Sequence, residues 1–302
     1  MQLSIPDFKS VKAPLSISDE WKAIFEQLNK REITSENFAQ SPIVFFADNG
    51  ISNSHFSLNG GNYTSSFAIL ASDGQLHAHA NLVACDIAIA RYFPELARVL
   101  DLKVASGSKN FLESEALEPA RLKKALNCGQ ELLNNIKSQV VYLKAIGAGN
   151  ELAAECLIKS LWNINGQVEL INSGQLEFNS KFVKLETHFN HPFSYLEKFG
   201  GYETAAMVGL ILKSIEAGKL ILLEGASALA AMSIVIRMFP EAIDFFQVVS
   251  IENSTILRAF CELHGIKPLF NLPPVNPKLF YLDATESLLK SVLKEETSAG
   301  TY

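Results

Sequence analysis

Apolar positions along the chain fall into two patterns: short continuous runs, and longer stretches with a three-to-four-residue period. Ser18-Asp19-Glu20 opens a segment with Trp21, Ile24, Phe25 and Leu28 at i, i+3, i+4 and i+7, the spacing of an amphipathic helix. Pro42 to Ala47 is a continuous apolar run ending in Asp48-Asn49-Gly50, which predicts a buried strand entering a turn. Residues 51–66 are polar, contain Asn59-Gly60-Gly61-Asn62 and read as a loop; Phe67 to Ser72 fits either element, with helix favoured. A second strand is expected within Ala80 to Ala90, with Asp86 near its end. A helix over Pro119 to Lys137 follows, then a third strand over Gln139 to Ile146 and a helix from Glu151 to Trp162.

Residues 163–180 form a polar connection. Beyond it, helices at about 203–217, 226–237 and 254–264 alternate with strands at about 219–224 and 245–250. Pro268, Pro273, Pro274 and Pro277 interrupt the chain before a last helix, Thr285 to Lys294. Strands separated by helices of this length predict right-handed parallel crossovers. The expected fold is α/β: a mostly parallel, Rossmann-like sheet flanked by helices. Residues 40–272 would form the large part, and 1–39 with 273–302 a smaller helical layer.

Composition narrows the class. With 302 residues, 48% hydrophobic and 19% charged, the chain can bury a sizeable core. A net charge of −6, from 26 basic and 32 acidic residues with no basic run, argues against nucleic-acid binding. Cys85, Cys128, Cys156 and Cys261 are scattered without a C-x-x-C, as expected of reduced thiols in a cytoplasmic protein. Met1 to Lys12 is mixed and polar, unlike a signal peptide, and no apolar stretch reaches the ~18 residues of a membrane span.

Chemistry is expected where predicted strands end. Gly147-Ala148-Gly149-Asn150 joins a strand to a helix, so its N–H groups and the helix dipole could hold an anion; it equally suits a tight turn with Asn150 as N-cap. Phe199-Gly200-Gly201-Tyr202-Glu203 opens another helix, which Glu203 would also favour by its charge. Glu224 ends an otherwise apolar strand, where an unpaired carboxylate is costly; Asp48 ends the first strand in the same way but equally suits capping the turn of Asn49-Gly50. His77 with His79 and His188 with His191 have spacings a metal could use, but no acidic or cysteine cluster accompanies them, and no metal is expected.

Together these pieces resemble the nicotinate-nucleotide:dimethylbenzimidazole phosphoribosyltransferase family of cobalamin assembly, over roughly residues 40 to 272. Ala47-Asp48-Asn49-Gly50 resembles the family's Ala-Asp-His-Gly turn, and Val104 to Asn110 with Glu118-Pro119-Ala120 its Arg/Gly-rich loop and the segment after it. Gly147 to Leu152 resembles Gly-Ile-Gly-Asn-Thr-Thr, Phe199 to Ala230 the Val-Gly-Gly-Phe/Tyr-Asp/Glu…Leu-Leu-Asp-Gly pattern, and Ser250-Ile251-Glu252 the Ser-Ala-Glu segment. The resemblance implies transfer of phosphoribose from nicotinate mononucleotide to a benzimidazole nitrogen, without a cofactor, by a homodimer. It assigns nucleotide and phosphate binding to Gly147, Gly149, Asn150, Lys181, Gly200, Gly201, Glu203, Glu224, Gly225, Ser250 and Glu252. Asp48, Asn49 and Gly50 fall on the acceptor side, and Glu224 is placed to act electrostatically.

The chain departs from the family pattern in its acceptor half. The family's base, a glutamate in an Arg-Leu-Gly-Glu-Gly segment, falls near Pro277 here; a second family glutamate aligns with Ala145; and the Thr-Thr pair is Glu151-Leu152. Glu151, Glu155 and Asp283 are the nearest carboxylates that could substitute. A nucleotide-binding homologue without transferase activity, and a transferase or hydrolase using a different base, are the alternatives.

Overall fold

A computed structural model describes residues 26, 28, 30–34, 38–52, 60–76, 81–91, 96–164, 189–270 and 280–299. Its centre is a six-stranded, fully parallel sheet in the order β3-β2-β1-β4-β5-β6. The strands are β1 (Gln40–Ala47), β2 (Val83–Ala88), β3 (Val99–Asp101), β4 (Val140–Ile146), β5 (Leu220–Glu224) and β6 (Phe246–Ser250). The helices are α1 (Gly60–Ser72), α2 (Pro119–Leu133), α3 (Asn150–Trp162), α4 (Pro192–Phe199), α5 (Tyr202–Glu216), α6 (Ala226–Met238), α7 (Thr255–Leu263) and α8 (Phe280–Ala299).

Strand alternation splits the core into two layers. Ile43, Phe45, Val141, Leu143, Ile221 and Leu223 face the side covered by α2, α3, α5, α6 and α7. Val44, Phe46, Tyr142 and Leu222 face the other, against Leu28, Ile33 and Phe38, Ala68 and Ala71 of α1, and Tyr281, Leu282, Leu289 and Leu293 of α8. Coverage of both faces explains why these strands read as continuous apolar runs rather than alternating ones. Each fully buried Leu, Ile or Phe contributes about 1.5–3 kcal/mol. On the first side α2 and α5 approach most closely because Gly129 and Gly209 lie at their crossing. A Cβ on either would collide with a carbonyl oxygen of the other helix, that of Ala206 or Leu126.

The expected fold class holds, with local corrections. Residues 60–66, read as loop, are the first turns of α1. β3, a three-residue edge strand, is too short to show a pattern. α4 went unread although Pro192 stands at its start, a favoured place for proline. α8 extends beyond Thr285 to Lys294 at both ends. Trp21, Ile24 and Phe25 lie outside the described residues, as do Pro273, Pro274 and Pro277.

Strand order also sets where a crevice forms. The chain leaves β1 towards β2 on one side and leaves β4 towards β5 on the other, with connections over opposite faces. Such a switch point opens a crevice at the carboxyl ends of the strands.

Candidate active site

A cleft of about 250 Å³ lies beside that switch point. It is lined by Tyr63 of α1, Lys144 to Gly147 at the end of β4, Asn150 and Glu151 of α3, Glu224 to Ser227 between β5 and α6, and Glu252 after β6. Five of the binding residues implied by the resemblance line it, Gly147, Asn150, Glu224, Gly225 and Glu252, as does Glu151, one of the three carboxylates that could substitute for the missing base. The N-termini of α3, α5 and α6 are capped at Gly149, Gly201 and Gly225, all at the carboxyl ends of the strands.

Glu224 is fully buried. Register pairs it with Lys144 on the neighbouring strand, and the Lys144 ammonium forms an ion pair with it. The Tyr142 hydroxyl, two residues earlier on the same face, donates to the other carboxylate oxygen. Burial, then the Glu224 charge, raises the Tyr142 pKa, so the phenol remains a donor. Sequence reading found Glu224 but missed both partners. The available signal was a lysine two positions after a tyrosine inside a buried apolar strand.

The turn after β4 is built on close approach. A Cβ on Gly147 would run into the Ala47 carbonyl oxygen, so only glycine lets the ends of β1 and β4 meet there. Gly149 has φ 77°, a left-handed conformation that glycine adopts without strain, and it is Gly149 rather than Asn150 that caps α3. Asn150 instead begins the helix, and its amide closes the turn on Gly147. The Ala148 N–H donates to Thr64 Oγ1 (3.0 Å), and the Ala148 carbonyl accepts from Asn49 N–H (2.8 Å).

Asp48, Asn49 and Gly50 knit this end of the sheet together. The Asp48 carboxylate accepts from the Thr64 hydroxyl and from Ala90 N–H (2.7 Å). Asn49 Nδ2 donates to Glu203 Oε1 (3.2 Å), while its Oδ1 accepts from Ser108 Oγ (3.2 Å). Gly50 N–H donates to the same Ser108 oxygen (3.2 Å). Gly200 and Gly201 precede α5, and Ser250 pairs with Glu224 across the sheet. His191 caps α4 by accepting from Phe193 N–H at 3.2 Å. Lys181, His77, His79 and His188 lie outside the described residues. Among the described residues no group of three or more His, Cys, Asp or Glu could hold a metal.

Glu203 is completely buried, and its Oε1 also accepts from Ser227 Oγ (3.3 Å), a cleft-lining residue. Its Oε2 has no hydrogen-bond partner among the described residues. Burial pushes its pKa up to about 7 against the hydrogen bonds that favour the anion. The folded state therefore holds a proton on Glu203 that the unfolded chain releases near the ordinary carboxylate pKa of about 4.3. The resulting stability is full below that value and is lost as pH rises through about 7. In Glu203→Gln this step should vanish, narrowing the gap in Tm between pH 5 and pH 8 by on the order of 5 °C. Parallel Tm–pH curves for the two proteins would show that Glu203 does not titrate in this way.

The phosphoribosyltransferase family model designated DBI_PRT matches residues 22–273, most of the chain. The chain belongs to this family. One relative, a nicotinate-nucleotide--dimethylbenzimidazole phosphoribosyltransferase of Janthinobacterium sp. (strain Marseille), is 27% identical over 180 residues, covering 55% of this chain. That match spans about half (52%) of the relative's length. Its namesake from Cupriavidus necator is 24% identical over 280 residues, covering 86% of this chain and 81% of the relative. The crystal structure of CobT from Thermus thermophilus superposes with a TM-score of 0.81 at 19% identity, over 94% of this phosphoribosyltransferase-family chain and 92% of that one. No described helix is long and apolar enough to cross a membrane.

Proposed function

We propose that this protein transfers phosphoribose from nicotinate mononucleotide to a benzimidazole-type nitrogen, as a cytoplasmic homodimer acting in assembly of the cobalamin lower ligand. The observation that carries this reading is a carboxylate-lined cleft beside the switch point of the sheet, in a chain matched to the family over residues 22–273. Positive charge develops at the anomeric carbon as the pyridinium leaves, and Glu224, held by Lys144 and Tyr142, is placed to stabilise it. The N-termini of α3 and α5, beside Gly147, Gly149, Asn150, Gly200 and Gly201, together with the turn at Gly225, would form the phosphate's edge, with Lys181 as its cation. Ser250, at the end of β6, completes the nucleotide side. Asp48, Asn49 and Gly50 bound the acceptor side.

The test is to incubate pure protein with nicotinate mononucleotide, with and without dimethylbenzimidazole, and follow nicotinate. Release that requires the acceptor is the expected result. Release without it would replace transfer by hydrolysis. Thermal stabilisation by the nucleotide with no release would reduce the protein to a binder.

A further inference from the structure

We propose that Glu252, assisted by Glu151, is the general base of the transfer, in place of the glutamates that would fall at Ala145 and Pro277. This rests on the cleft being the transferase site. Ala145, Glu151 and Glu252 all line that cleft, so two carboxylates stand in the same cleft as the position that lacks one. Neither Glu155 nor the exposed Asp283 lines it.

Glu252 is fixed in place yet only partly committed. The α6 N-terminal N–H of Ala226 bonds its carboxylate, and Gly225, with φ 90°, leaves space for it. A Cβ on Gly225 would lie 2.8 Å from Glu252 Oε1. Its Oε2 is sealed from solvent and accepts no hydrogen bond among the described residues. A buried carboxylate oxygen without a donor is costly, and an incoming N–H would relieve that cost. Glu151, in the first turn of α3, lines the same cleft and keeps part of its surface in solvent, which gives the proton a route out.

The charged and titratable groups around Glu252 set its proton affinity. Lys144 on β4 lowers it but is already paired with Glu224 on β5, and Glu151 raises it. With burial as the largest cause, followed by Glu151, the Glu252 pKa is pushed up to about 7, the range in which a base is most effective near neutral pH. Burial also raises Glu151, with Lys144 opposing. Tyr63 on α1 is pushed up to about 12 by burial and then by Glu151 and Glu252, so it stays neutral and keeps its proton.

The atoms balance without a further reactant. Glu252 accepts the proton from one ring nitrogen of the acceptor as the other nitrogen's lone pair bonds to C1′ of the ribose. The bond from C1′ to the pyridinium nitrogen breaks, its electron pair stays on that nitrogen, and neutral-ring nicotinate leaves. The proton then passes by way of Glu151 to water.

The experiment compares nicotinate release with dimethylbenzimidazole between pH 5 and 9 for wild type, Glu252→Gln, Glu252→Asp, Glu151→Gln and Asp283→Asn. Glu252→Gln should lower kcat/KM for the acceptor by about 10²–10⁴-fold and remove the rise in rate towards pH 7. Glu252→Asp should recover part of the rate and keep that rise. Glu151→Gln should shift the rise to lower pH, because a charge that raises Glu252 is gone. Asp283→Asn should match wild type. Unchanged acceptor kinetics and pH profile in Glu252→Gln would overturn the assignment, as would an equal loss at every pH accompanied by lost nucleotide binding. If Glu252→Gln does not fold, the Glu252→Asp profile decides, and absence of its pH-dependent rise counts against the base. A wild type that releases no nicotinate rejects the transferase reading, whereas an active wild type with indifferent variants rejects only the base.

Discussion

Lys144→Met is expected to destabilise the protein by about 3–5 kcal/mol, because it strands Glu224, a fully buried carboxylate, without its countercharge. The Tyr142 hydroxyl remains as a donor to Glu224, but a neutral donor does not replace an ammonium. With a urea m-value of about 2–3 kcal/mol/M, the unfolding midpoint should fall by about 1–2.5 M. Adding Glu224→Gln to Lys144→Met removes the stranded charge and should restore stability to within about 1–2 kcal/mol of wild type. That recovery separates charge burial from loss of lysine packing, which the second substitution would not mend. A change below about 1 kcal/mol in Lys144→Met would mean that the pair is hydrated, and the site would lose its main electrostatic element.

This pair also marks where sequence reading stopped. Glu224 was visible as a carboxylate ending an apolar strand, a position where desolvation demands a reason. Its partner was not, because the pairing of Lys144 with Glu224 exists only once β4 and β5 are neighbours in register. Local patterning carries no information about which strands lie side by side. The strands themselves were legible because burial on both faces makes them continuous apolar runs. The polar turns of α1 were mistaken for loop on the assumption that polarity means solvent. Thr64 and Ser65 are buried there, and Thr64 serves Asp48 and Ala148. By its own pattern Glu203 favours its helix, and the resemblance gives it a nucleotide role; its links to Asn49 and Ser227 join residues 154 and 24 positions apart, beyond any local signal. Sequence proximity does not distinguish Glu151 from Glu155 and Asp283; lining the cleft does.

Gly147→Ala should be the most damaging single-methyl addition near the cleft. The Cβ would overlap the Ala47 carbonyl oxygen and stand 2.8 Å from its carbon, and both are backbone atoms of the central strand. Relief requires β1 and the turn after β4 to separate, which also strains the Asn49 to Ala148 hydrogen bond. The expected loss is about 3 kcal/mol or more, above the usual range for overpacking because backbone rather than a side chain must yield. Two other glycines calibrate the effect. Gly218→Ala carries only the strain of φ 67°, with nothing within 4 Å of the new Cβ, and should cost about 1–2 kcal/mol. Gly149→Ala adds tight but tolerable contacts, the nearest 3.1 Å from Ile51 Cγ2, to a similar strain at φ 77° and should fall between the other two. Gly147 has no positive φ, so any cost there comes from the collision alone. Urea unfolding of the three variants gives the order. If Gly147→Ala lost no more than Gly218→Ala, β1 and β4 would not meet as closely as described, and the cleft that Gly147 lines would have a different shape.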